Sequence, residues 1–174
     1  MDKKSKAARM MKTSRLQSGK TQQQLSMDMF QSREYVAKQE NGERKIAPST
    51  LQHFTKTHND PWLALEAAFE YTGWGVTRLD GPAVDLHRSA VREKAMEELR
   101  EAIVAMEKVK LTKNPSFTQS FELQDIEQSA REHIDVVGAS ITYVATLCDQ
   151  YGLSWNQLWE DHHRKLQSRG YVTS

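Results

Sequence analysis

TQQQLSMDMFQSREYVAKQENGERKIAP, residues 21–48, is the stretch around which the rest of the chain is organised. Its spacing predicts two short helices joined by a tight turn. Thr21 offers a hydroxyl to a free N–H of the first helical turn, and Gln24 completes a capping box. Leu25 and Met29 then share a face at i and i+4. Ser32 is the next cap. Residues 33–40 form a short helix in which Val36 is the clear inward anchor, and Asn41-Gly42 ends it, because glycine accepts the left-handed cap conformation.

Working outward, residues 3–18 read as a helix with Ala7, Ala8, Met11 and Leu16 on an apolar stripe flanked by Arg9, Lys12 and Arg15, and Gly19 closes it. On the other side, residues 48–57 fit a fourth helix with Leu51 and Phe54 facing in. Asp60-Pro61 opens a fifth, a carboxylate cap followed by proline at the first helical position. Trp62, Leu65, Ala68 and Phe69 follow at helical spacing, read as core, and Gly73 stops the run. The expected first domain is therefore residues 1–73, with the glycine-rich residues 74–82 as connector.

The run Thr21-Gln22, Leu25-Ser26, Ser32-Arg33, Val36, Glu40-Asn41-Gly42, Pro48 and Leu51 resembles the Xre/Cro-type helix-turn-helix of phage repressors, without a gap. MFQSREYVAKQENG is especially similar to the branch of that family with an aromatic residue before the cap of the recognition helix. The resemblance covers roughly residues 3–72. It implies a five-helix head whose second short helix enters the major groove of double-stranded DNA. Arg33, Glu34, Ala37 and Lys38 would then face the bases. Arg33 is the candidate for a bidentate contact to guanine, Lys38 for a base or a phosphate, and Glu34 for cytosine N4 unless it only restrains Arg33. Gln22 matches the family position that grips a phosphate and buttresses the recognition helix. Asn41, Arg44 and Lys45 would touch the DNA backbone, and Gln31 and Ser32, at the turn and cap, complete the set. Phe30 departs from the family, which often has glycine there for a positive φ; either the turn is built differently or Phe30 plugs the core. Gln31 and Gln39 stand where apolar residues are common.

Residues 83–174 read as a second, all-helical domain. Val91, Ala95, Leu99, Ala102, Met106 and Val109 recur at helical spacing before Asn114-Pro115 breaks the pattern. From Leu123 through Ile126, Ala130, Ile134, Val137, Ile141, Val144 and Cys148 to Tyr151, apolar residues recur at nearly a 3.5-residue period. Ser154 and Gln157 form a capping box that opens a last helix with Leu158, Trp159, His162 and Leu166 on one face. The fold class expected is all-α, a helix-turn-helix head followed by a helical hairpin or bundle. Ile126, Ile134, Val137, Ile141, Val144 and Tyr151 are the expected dimer seam, because repressors of this type span two half-sites; closure of the seam within one chain is the alternative.

Charge agrees with a head that meets a polyanion. Residues 1–59 hold twelve Lys/Arg against five Asp/Glu, a balance of +7, and the remainder twelve against eighteen, −6. No apolar run approaches the ~18 residues of a membrane span, and no apolar segment follows the basic start as in a secretory signal. The single Cys148 excludes an internal disulfide and fits a cytoplasmic, nucleoid-associated protein. No Ser-His-Asp or Cys-His order and no glycine-rich phosphate loop occurs, so no catalytic residue and no cofactor is expected. The adjacent His162 and His163 diverge on a helix, and Cys148 and His133 lack ligand spacing, so no metal site is expected there. The pairs Glu98/Glu101 and Glu132/Asp135 keep one alternative open. ExxE and ExxD on facing helices are how MazG-like nucleotide pyrophosphohydrolases hold magnesium. A further alternative is a DNA-tethered adaptor whose acidic tail binds another protein, such as an antirepressor. The Ser/Lys self-cleavage domain of some phage repressors has no counterpart.

Overall fold

The computed structural model describes residues 5–173, and every α-helix or strand among them is an α-helix. The order is α1 (Lys6–Gln17), α2 (Gln22–Asp28), α3 (Arg33–Glu40), α4 (Pro48–His58), α5 (Pro61–Thr72), α6 (Arg88–Lys108), α7 (Ser120–Tyr151) and α8 (Trp155–Ser168), with one 3-10 turn at Pro115–Phe117. The expected start of α1 at Lys3 lies outside the described residues. No helix among those described is long and apolar enough to cross a membrane.

Two compact units result, residues 1–78 with 148–174, and residues 79–147. The last part of the expected tail, residues 148–174, falls in the unit that holds the head. The reason is Asn59, which caps α4 in the left-handed conformation at φ 50°. Its amide donates to Leu153 O at 2.7 Å and accepts from Trp155 N at 2.9 Å. Those bonds fasten the turn before α8 to the end of α4, and Trp155 is buried there.

The head core is Ala7, Met11, Leu25, Val36, Ile46, Phe54, Leu63 and Ala67, with Met10, Met29 and Leu51 packed against it. Full burial of each large member contributes about 1.5–3 kcal/mol. Helix entry is polar and local. Ser5, Thr21, Ser32, Asp60 and Ser154 each accept from the backbone N–H three residues on. Glu70 adds to the start of α1, accepting from Ala7 N at 3.0 Å and from the Ser5 hydroxyl. A carboxylate there also meets the positive end of the helix dipole.

The expected stripes of α1, α5 and α6 are buried at Ala7, Ala8, Met11, Trp62, Val91, Ala95 and Ala102 and depart at single positions. Leu16 is exposed, and Ser14 and Arg15 are buried instead. In α5 the buried set is Trp62, Leu63, Glu66 and Ala67, while Ala68 is exposed and Leu65 only half-buried. In α6 Leu99 and Met106 are exposed, and Glu98 lies inside with Val91, Ala95 and Ala102.

Candidate nucleic-acid interface

The two short helices, α2 and α3, pack against each other across the turn at residues 29–32. The turn resolves the question of Phe30. Its φ is 53° and its side chain is 98% exposed, so it occupies the glycine-type left-handed position and plugs nothing. A non-glycine residue there costs about 1–2 kcal/mol, against roughly 0.5–1 kcal/mol for the extra chain freedom of glycine when unfolded. Phe30→Gly is therefore expected to raise head stability by up to about 1 kcal/mol. A thermal melt that fell on this substitution would show that the ring contributes more than the exposed geometry indicates.

Gln39 and Gln31 replace apolar packing with a polar relay. Gln39 is fully buried. Its Oε1 accepts from Ala47 N at 2.9 Å and its Nε2 donates to Gln31 Oε1 at 3.4 Å. Gln31 Nε2 donates in turn to Thr50 Oγ1 at 3.2 Å. Gln31, expected toward DNA, thus has both ends of its amide engaged within the head. Ser32 is engaged as well, accepting from Tyr35 N at 3.1 Å.

The outward face of α3 is more open. Arg33, the first residue of the helix, is exposed and has no hydrogen bond or ion pair with another described residue. Glu34 pairs with Lys38 one turn on, 2.7 Å apart, rather than with Arg33. The Lys38 ammonium holds the Glu34 carboxyl below its ordinary range. Both are exposed, so the pair adds little stability. Ala37 lies half-buried between them and the core side.

The flanking residues are each braced. Arg44 stacks on the Tyr35 ring at 5.0 Å, and Lys45 lies 4.8 Å over Tyr71 while donating to Glu70 O at 3.3 Å. The rings narrow the directions these cations can take. Asn41 Nδ2 donates to Glu43 Oε1 at 3.2 Å.

A buried ion pair behind this face has no local sequence signal. Arg15 Nε donates to Glu40 Oε1 at 2.5 Å and Nη2 to Glu40 Oε2 at 3.0 Å, with both side chains buried. Gln22 Nε2 donates to the same Oε2 at 2.8 Å. One carboxylate therefore ties α1, α2 and α3 together and sets the direction of Gln22. The partners lie 25 and 18 residues apart, beyond any helical periodicity.

Beneath the other side of the head, His53 and His58 pack edge-on at 5.6 Å and both contact Phe54. Each has a buried Nε2 with no partner among the described residues. Burial pushes both imidazoles below their ordinary value of 6.5, reinforced by Lys20 and opposed by Asp28. The unfolded chain then binds more protons than the fold below about pH 6.5. The stabilisation is complete above that pH and is lost as pH falls through it. The melting temperature is expected to drop between pH 7.5 and 5.5, and less so in the His53→Gln/His58→Gln variant. Parallel pH profiles for the two proteins would exclude these imidazoles as the cause.

Of the expected seam, Ile134, Val137 and Tyr151 are exposed, and Ile126, Ile141 and Val144 are half-buried. Tyr151 belongs to the first unit and the other five to the second. Of the acidic pairs, Glu98, Glu132 and Asp135 bring carboxylate oxygens within 4.8 Å of one another, without Glu101. Lys94 Nζ lies 2.7 Å from Glu98.

No protein-family model, curated protein or solved structure matches this chain at a significant level.

Proposed function

We propose that this chain is a sequence-specific double-stranded DNA-binding regulator of the Xre/Cro, phage-repressor-like type, acting as a dimer. The observation that carries the reading is α3 itself. A short helix, entered through a left-handed turn and capped by Ser32, presents an exposed Arg33 at its first position and Lys38 five residues on. That is the arrangement by which a recognition helix puts donors against base edges. Arg44 and Lys45, braced on tyrosines, flank it where phosphates would lie. Selection from a random double-stranded library at fixed salt tests this. An enriched motif with two-fold symmetry and half-sites about one helical turn apart is expected; retention that depends on salt and not on sequence would reject specific recognition.

A second reading rests on the approach of Glu98, Glu132 and Asp135. Oxygen ligands of this kind suit magnesium, which would make the tail a MazG-like nucleotide pyrophosphohydrolase. Lys94 already answers one of the three charges, so the ion would have to displace it. Release of pyrophosphate from nucleoside triphosphates, dependent on magnesium, would favour this reading over a purely regulatory tail.

A further inference from the structure

We propose that one side of the α6–α7 hairpin is the surface on which a second copy of this chain docks, closing a four-helix bundle. The second unit has almost no core of its own. The apolar side chains it buries are Val91, Ala95, Ala102 and Ala145, beside Glu98, Ser129, Thr142 and Thr146. Its larger apolar side chains lie outside. Leu99, Ile103 and Met106 of α6 and Leu123, Ile134 and Val137 of α7 are 46–71% exposed. A unit whose buried apolar side chains are one valine and three alanines buries too little to hold itself together.

These six side chains share one side of the hairpin. Successive residues turn about 100° around a helix. On α6, turning one way from the buried Val91–Ala95–Ala102 line reaches Glu101, and the other way reaches Leu99, Ile103 and Met106. On α7, turning one way from Ser129, the buried residue of its first half, reaches Glu132 and Asp135, and the other way Ala130, Ile134 and Val137. The carboxylates of Glu98, Glu132 and Asp135 converge, so the acidic turns of both helices lie on one side. The apolar turns therefore lie together on the opposite side.

The size of this face identifies the occupant. The six side chains expose on the order of 600 Å², close to the ~800 Å² that each partner contributes to a standard interface and at the upper limit for a monomer's apolar patch. By the same spacing Arg92 and Glu127 also lie on this side, and each is already paired within the chain, Arg92 with Glu93 and Glu127 with Arg131. Two copies can therefore meet on it without like-charge repulsion, the requirement of a self-complementary two-fold contact. The acidic side then stays in solvent. This deepens and rests on the dimeric reading above, and it assigns α6 a share of the interface that the α7 seam alone does not include.

Sedimentation equilibrium of the full chain at micromolar concentration, without DNA, tests the proposal. The wild type is expected at twice its 20.0 kDa. Ile134→Glu and, separately, Leu99→Glu are each expected to raise the dimer dissociation constant on the order of 100-fold while keeping their helical circular dichroism. Glu101→Gln, on the acidic side, should leave the mass unchanged. A wild-type monomer overturns the proposal even if the charged variants unfold. So do folded Glu variants that remain dimeric, or a Glu101→Gln variant that becomes monomeric. A monomer that still selects a DNA motif refutes the docking face alone, and a dimer that selects none refutes DNA recognition alone.

Discussion

Glu40→Ala is expected to remove about 3–5 kcal/mol from the stability of the head, a large share of what a domain of this size has. The loss comes from what stays behind. Arg15 remains buried, with its Nη1 donating to Lys20 O at 2.7 Å and its other donors unanswered. Urea unfolding followed by circular dichroism should show the head transition at much lower denaturant. The double replacement Arg15→Met/Glu40→Leu is expected to recover most of the loss, because well-packed apolar side chains replace buried ion pairs at little or no cost. It should not restore DNA affinity to the same degree, since Gln22 has then lost the carboxylate that orients it. A Glu40→Ala head that melts within about 1 kcal/mol of wild type would show that the carboxylate does not join the three helices.

The contrast between the caps and this ion pair shows what a sequence can disclose. Thr21, Ser32, Asp60 and Ser154 act on N–H groups three residues on, so each helix start is visible in a four-residue window. Helix rotation is not local. The apolar residues of α5 and α6 are dense enough to draw more than one stripe, and the choice depends on the surface packed against them. Leu63 is buried and Leu65 only half-buried because the core with Met11 and Phe54 lies on that side. Leu99 is exposed because α6 turns its alanine line inward. The assignment of α8 to the head depends on Asn59 and Trp155, which are 96 residues apart. At the candidate interface, the exposed α3 face was legible from its cap and its anchor Val36. The engagement of Gln31 by Gln39 and Thr50 was not, because an inward and an outward glutamine have the same sequence.

Those differences decide where the largest effect on recognition should lie. Arg33→Ala is expected to weaken binding to the selected site by about 1–3 kcal/mol, roughly 5- to 150-fold, and to relax preference at one base pair of each half-site. Lys38 is shared with Glu34, Gln31 is turned into the polar relay, and Arg44 and Lys45 are stacked on rings. Arg33 alone of the charged residues on α3 is exposed with all its donors available, and a guanidinium so placed matches O6 and N7 of guanine with two parallel bonds. Its removal breaks no contact within the head, so the melting temperature should stay within error, which separates a reading role from a structural one. The measurement is a titration of the wild type and the variant on the selected site and on its three single-base alternatives at the guanine, at one salt concentration. If both proteins give the same affinities and the same base preference, Arg33 does not read the site, and recognition would have to pass through Lys38 after its release from Glu34.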